Sequence, residues 1–390
     1  MTARPDVVYV LPDKMGGVFS IVANLLGHRT PDEFAYRAVL TRNQHDRDTL
    51  STMPLGADEE IVFDYALPIE NLYAVAKRLS RMIGPGPGVL ICNDFVELLM
   101  LTVVDPGRTV VQILHGDYDY YYDLAAVHEP LVHAFVAYSR TVYEKLIDRL
   151  PHRRDTIFWL PYGIPIPPAA RRPSPGPLRL IFVGRLDESK GVFTMPEIDR
   201  LLSEEGVPVS WTIVGTGPAR DALRAAWHNA PNVRWTDAAT PIAIVALCAE
   251  HDVFVLPSHA EGLSVATVEA MGAGLVPVVS DLPSMAELLD GGRTGLSAPI
   301  GDAMSFARAI LSLAGDRHGL ETMSRAARQL VIDRFDIRAC AAGYQAVFSR
   351  WRELKRARPA HPRRYYGSRL DQPWMPNAAV KLIRSALRWT

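Results

Sequence analysis

Cysteine is scarce: Cys92, Cys248 and Cys340 are the only three in 390 residues, and none has a partner at C-x-x-C spacing. A disulfide framework and a thiolate zinc site are thereby set aside, and a reducing, cytoplasmic compartment is the expected one. No uninterrupted apolar stretch approaches the roughly 18 to 20 residues that a membrane-crossing helix needs. No charged leader followed by a long apolar stretch precedes 7–11, so no secretion signal is expected. The formal charge is −1 at pH 7, which supplies no whole-molecule field to gather nucleic acid, and none is expected as a partner.

That balance conceals two opposed ends. Residues 1–150 carry about seven more acidic than basic side chains, and 350–390 about nine more basic than acidic. The two should attract. The tail ends in a helical pattern over 377–389, with Asn377 placed as an N-cap. Val380, Ile383 and Leu387 would form one apolar stripe, and Lys381, Arg384 and Arg388 a basic one. Two readings stay open: a helix docked on the acidic first domain, or a peripheral contact with the inner face of a membrane.

With 48% hydrophobic residues over this length, two domains of ordinary size are expected. Short apolar runs at 7–11, 89–92, 109–114, 134–137, 180–183, 211–214, 253–256 and 276–279 read as buried parallel strands. Helical spacing at 18–26, 73–82, 219–227, 264–271 and 303–313 falls between them. Such alternation means an α/β chain. Prolines crowd 161–168 and 171–177, removing amide donors and excluding regular helix or sheet. The expected plan is a Rossmann-like, doubly wound domain over 1–165 and a proline-rich linker over 166–178. A second such domain follows over 179–345, facing the first across a cleft, and then a basic tail over 346–390.

Three stretches carry chemistry. Gly16 and Gly17 follow the first strand and open a helix, where backbone amides can approach a phosphate, although a Gly-Gly pair there also makes a plain tight turn. The run 181–191 ends a strand in Gly184 and then presents Arg185 and Lys190, suited to gripping a diphosphate and neutralising its charge as it leaves. In 257–274, Ser264 is an N-cap candidate, so that the amides of Leu263, Ser264 and Val265 would face an anion. Glu261 sits in the loop and Glu269 well into the helix, so the two do not flank one bond as hydrolase carboxylates do. Each instead suits hydroxyl groups as a charged acceptor. His115 stands at a strand end beside Gly116, and 117–123 holds four tyrosines among three aspartates.

Taken in order, Gly16-Gly17, His115, Val183-Gly184-Arg185 to Lys190-Gly191, Val214-Gly215-Thr216-Gly217-Pro218 and the Glu261-x7-Glu269 block closing on Pro277 and Glu287 resemble glycosyltransferase family 4. The resemblance implies the GT-B architecture, with an acceptor domain first and a nucleotide-sugar donor domain second. It implies a retaining, metal-independent transfer from a nucleotide diphosphate sugar, without cofactor, to a glycan, lipid-linked or small-molecule acceptor. His115, Arg185, Lys190 and Glu261 would be catalytic. Gly16, Gly17, Gly184, Gly215, Gly262, Leu263, Ser264 and Glu269 would bind the donor, Glu269 through its ribose. The leaving diphosphate would deprotonate the acceptor hydroxyl on the same face. Ser264 replaces a common family glycine, 275–277 is one residue longer than Gly-x-Pro, and 232–237 lacks a frequent glycine, so sugar and base stay open. The 117–123 segment reads either as an acceptor surface or as an exposed polar loop capping a helix. An epimerase or phosphorylase of this architecture, or a non-catalytic sugar-nucleotide binder, is the alternative.

Overall fold

The computed structural model describes all residues except 1–3, 15, 31–32, 46–49, 51–52, 169, 172, 174, 228–229, 238–240, 365–366 and 388–390, and the side chains of 241–242. Residue 15 of the glycine stretch, 172 and 174 of the proline-rich segment, and 388–389 of the final helix therefore fall outside it. The chain forms two compact units, one of Met1–Gly163 with Ile337–Thr390, the other of Ile164–Asp336.

That division differs from the boundaries read in the sequence, and packing explains why. The helix Ile337–Ser349 belongs to the first unit: it buries Ile337, Cys340, Tyr344 and Phe348, Tyr344 donates to the Leu160 carbonyl at 3.2 Å, and Phe348 meets Tyr9 edge-on. The proline-rich segment belongs to the second unit, tied there by Arg171. Its amide donates to the Ala273 carbonyl at 2.7 Å, and its guanidinium to Asp252 at 2.7 Å.

The first unit is built on strands β1 (Asp6–Pro12), β2 (Ala35–Asn43), β3 (Glu59–Tyr65), β4 (Gly88–Cys92), β5 (Thr109–Leu114), β6 (Ala134–Ala137) and β7 (Ile157–Trp159). Their order is β3-β2-β1-β4-β5-β6-β7, every pair parallel. β4, β5 and β6 are buried at every position, as strands covered by helices on both faces must be. β2 and β3 escaped the sequence reading because Arg37, Arg42, Glu59, Glu60 and Asp64 interrupt them; β3 is an edge, where charge blunts further pairing.

The second unit holds β8 (Leu178–Val183), β9 (Val209–Val214), β10 (Val233–Thr236), β11 (Val253–Leu256), β12 (Val276–Ser280) and β13 (Leu296–Ala298). Their order is β10-β9-β8-β11-β12-β13, again wholly parallel. In each sheet the winding reverses once, between β1 and β4 in the first and between β8 and β11 in the second. Such reversals open a crevice at the strands' carboxyl ends.

The tail packs on the first unit through specific bonds. Arg384 is 3% exposed. It donates to the carbonyls of Pro68 and Glu70 at 2.6 Å each and to Asp371 at 2.7 Å. In the helix Asn377–Ala386 the N-cap position falls on Pro376, which makes no side-chain capping bond, and Asn377 is the first helical residue. Asn377 is occupied elsewhere: its side chain accepts from the Asn71 amide and donates to Glu70. The stripe expected inward is also rotated. Val380 and Arg384 face in, while Ile383, Leu387 and Leu382 are exposed, because the guanidinium seeks carbonyls and a carboxylate that the apolar side chains cannot satisfy. Among the described residues no helix is long and apolar enough to cross a membrane.

Candidate functional site

In the second unit the reversal brings two separate motifs together. The chain leaves β8 through Gly184 and Arg185 into a tight turn, Glu188–Lys190, and leaves β11 through 257–264 into the helix Val265–Gly272. Lys190 Nζ donates to Glu261 Oε1 at 2.7 Å, and the buried Ser258 hydroxyl donates to the same oxygen at 2.7 Å. Ser284 Oγ holds the Glu261 carbonyl at 2.8 Å. The close approach depends on Gly191. At φ 62° it occupies the left-handed region, and a Cβ would stand 1.8 Å from the Pro257 carbonyl oxygen.

Ser264 caps the helix as its residue type predicts, accepting from the Thr267 amide at 3.2 Å. The helix N-terminus behind Gly262, Leu263 and Ser264 carries roughly half a positive charge. Lys190, Glu261 and this cap thus share one end of the sheet. Gly215 lies beside Gly184, where a Cβ would meet the Gly184 carbonyl oxygen at 1.9 Å. Arg185 takes a different partner: its Nε lies 3.1 Å from Asp187, whose other oxygen accepts from Ser189 at 2.5 Å. Glu269 keeps part of its surface open, yet the protein mass around its carboxyl desolvates it and pushes its pKa up to about 7. Ser258, Asp187 and Ser284 were not singled out from sequence. Ser258 stands three residues before Glu261, which was the available signal.

At the other pole of this sheet, where β8 and β11 begin, Asp252 joins Arg171 and Arg179 at 2.7 and 2.9 Å. Strand amino ends are not where open α/β sheets take ligands, and these groups satisfy one another. That cluster is structural.

In the first unit Gly16 holds the N-cap position of the helix Gly17–Gly27 with no side-chain bond, and no atom of the described residues beyond its chain neighbours lies within 4 Å of the place a Cβ would occupy at Gly16. The protein's own packing does not demand glycine there. His115 follows β5, with its Nε2 2.6 Å from Asn93 Oδ1 and its ring against Tyr121 and Tyr138. Burial pushes its pKa down to about 3, so the imidazole is neutral. Asn93 and Asp94 follow β4, and both amides donate to Glu97, at 2.7 and 2.6 Å. Glu97 is 1% exposed, and desolvation pushes its pKa up to about 8. Asn93 and Glu97 were missed, although Asp94-x-x-Glu97 after an apolar run is the spacing of a capping box, which the structure forms.

The tyrosine-rich segment runs into the helix Asp119–His128, with Tyr118 at its N-cap position. Tyr122 is buried and donates to Asp117 at 2.7 Å, Tyr120 donates to Asp94, and Tyr118 and Tyr120 are exposed. Ion pairs from Lys145 to Asp117 and from Arg149 to Asp119 and Asp123 account for all three aspartates.

Residues 177–316 match the family described as glycosyl transferases group 1. Glycogen synthase of Mycobacterium tuberculosis is 32% identical over 185 residues, 47% of this chain and 45% of that protein. The Salmonella typhimurium protein named putative colanic acid biosynthesis glycosyltransferase WcaL is 34% identical over 178 residues, 43% and 44%. The chain spans less than half the length of these curated relatives. Among solved structures, Anabaena HepE in complex with UDP and glucose superposes with TM-score 0.71 at 16% identity, covering 88% of this chain and 99% of that one. Sucrose-phosphate synthase from Thermosynechococcus elongatus gives 0.72 at 15%, covering 90% and 100%. These likenesses establish the GT-B fold of two parallel-sheet α/β domains. The match to glycosyl transferases group 1 lies within the second unit, Ile164–Asp336, the one that holds Lys190, Glu261 and the Ser264-capped helix.

Proposed function

We propose that this protein is a retaining glycosyltransferase that moves a sugar from a nucleotide diphosphate donor to a glycan, lipid-linked or small-molecule acceptor in glycan or polysaccharide biosynthesis. The observation that carries the reading is the meeting of Lys190, Glu261 and the Ser264-capped helix at one sheet reversal. Lys190 and Arg185, with the helix N-terminus, take the diphosphate and do the neutralising that a divalent cation does elsewhere. Glu261 accepts from sugar hydroxyls, and Glu269 from the ribose. The bond from the sugar's anomeric carbon to the diphosphate oxygen breaks, a bond to the acceptor oxygen forms on the same face, and the departing diphosphate takes the acceptor's proton. Gly16 and Gly17 leave room for the phosphates, His115 meets the donor sugar, and the exposed Tyr118 and Tyr120 receive the acceptor. No cofactor enters.

The relatives' names place those proteins in polysaccharide synthesis, and the HepE structure holds UDP and glucose, so UDP-glucose heads the donors to try. A thermal-shift screen against nucleotide sugars tests the reading, since a ligand at 100 times its Kd stabilises by about 2.7 kcal/mol. A shift with one donor, followed by its slow hydrolysis and a product of unchanged anomeric configuration by NMR, is expected. The absence of both a shift and hydrolysis with every donor overturns the proposal. Cys92, Cys248 and Cys340 are buried and form no disulfide among the described residues, which suits a cytoplasmic location. The exposed Trp374, Leu382 and Leu387 are the side chains through which the tail would touch an anionic bilayer. Flotation with such vesicles that survives Leu382→Ser with Leu387→Ser removes that contact.

A further inference from the structure

We propose that Asn93 is a positioning residue that locks His115 as the Nε2–H tautomer, so that Nδ1 is presented as a bare acceptor for a ligand hydroxyl. The role given to the hydroxyl rests on the transferase reading; the lock itself does not.

The Val10 carbonyl can only accept, and it lies 2.7 Å from Asn93 Nδ2. That fixes the amide: Nδ2 faces β1, and Oδ1 faces the other way. Oδ1 can only accept, and it lies 2.6 Å from His115 Nε2. Nε2 therefore carries the proton, and in a neutral imidazole the other nitrogen is then a lone pair. The amide itself is held rigidly. Asn93 is 3% exposed, and its backbone amide donates to Glu97 at 2.7 Å. The imidazole is held as well, by the rings of Tyr121 and Tyr138 and by the Tyr138 hydroxyl donating to the His115 carbonyl.

What remains is Nδ1. It is closed to water and has no hydrogen-bond partner among the described residues. A buried acceptor left unpaired in a native fold asks for an explanation, and its position supplies one. Asn93 follows β4 and His115 follows β5, so the pair stands at the carboxyl ends of strands beside the reversal of the first sheet, where ligands bind. A neutral acceptor in that position receives a hydroxyl proton in a hydrogen bond. It does not deliver one, so His115 orients a substrate rather than acting as an acid.

Two measurements test this. In protein carrying 15N-labelled histidine, with His115 assigned by its loss in His115→Gln, long-range proton–nitrogen spectra of the ligand-free chain should show a proton on Nε2 and a pyridine-type Nδ1. A proton on Nδ1, or an even mixture, overturns the lock whatever the enzyme does. Asn93→Leu should yield the mixture, and Asn93→Asp, which still offers an acceptor, should restore the Nε2–H form. With the donor that gives the fastest turnover, Asn93→Leu should lower kcat about tenfold, the size of one lost hydrogen bond, with the donor KM within twofold. Unchanged kcat in a variant with an altered tautomer overturns the catalytic part. Absence of turnover with every donor sinks the transferase reading and leaves the spectra to decide the lock.

Discussion

Lys190 Nζ stands 2.7 Å from Glu261 Oε1 although 71 residues separate them. The parallel pairing of β8 with β11 sets their loops side by side, and the absence of a Cβ at Gly191 lets the loops close. In the ligand-free chain each side chain neutralises the other. A diphosphate drawing on Lys190 would free a Glu261 oxygen for a sugar hydroxyl.

Lys190→Ala should therefore lower turnover by about 10² to 10³, the loss typical of one oriented electrostatic contact. Steady-state kinetics with saturating donor measures it. Turnover within a factor of three of the parent would remove Lys190 from the reaction.

The Glu269 carboxyl, held near pKa 7 by desolvation, predicts how donor binding varies with pH. Ribose hydroxyls favour the ionised acceptor, so binding releases a proton wherever the free protein still holds it. Affinity for a nucleotide sugar should be flat above pH 7 and weaken as pH falls below it, approaching tenfold per pH unit. Calorimetry at pH 6 and 8, in buffers of different ionisation enthalpy, reads both the affinity and the proton. Glu269→Gln should bind about ten to a hundred times more weakly at pH 8 and lose the slope. A parent slope that survives in the variant would assign the proton to another group.

Glu97 governs stability in the opposite pH range from an ordinary paired carboxylate. Its folded pKa is about 8 against a reference of 4.5, raised chiefly by desolvation. Protonation thus favours the folded state. That contribution is complete below pH 4.5, declines as pH rises between the two values, and is gone above 8. Thermal melts should show the parent losing Tm between pH 5 and 8.5 relative to Glu97→Gln, which keeps an acceptor for the Asn93 and Asp94 amides. Parallel Tm curves would clear Glu97 of the effect.

How much could be read beforehand divides along physical lines. Strands buried on both faces announce themselves as apolar runs, and β4, β5, β6 and β11 fall where the runs 89–92, 109–114, 134–137 and 253–256 place them. Ser264 likewise caps its helix. Charged strands such as β3 carry no such signal. Asn93 is invisible for another reason: its importance lies in the direction of its amide, fixed by the carbonyl of Val10 far away in sequence. The tail shows the limit of periodicity. Val380 to Leu387 contains an apolar stripe, but the face that docks is chosen by Arg384 and its partners on the first unit.

Those partners supply the final prediction. Arg384 and Asp371 are each about 3% exposed and lie 2.7 Å apart. Asp371 also accepts from the Leu72 amide at 2.9 Å, at the start of the helix Leu72–Ile83. Removing the cation alone leaves a buried carboxylate without its countercharge, and breaking such a pair costs about 3 to 5 kcal/mol. Arg384→Leu should lose that much in denaturant melts. Adding Asp371→Asn should recover part of the loss, because the neutral amide no longer needs a cation and its oxygen still accepts from Leu72. If the two substitutions together cost their separate sum, the pair is not coupled, and the tail is held by its other bonds, chiefly those of Asn71 to the carbonyls of Gln372 and Met375.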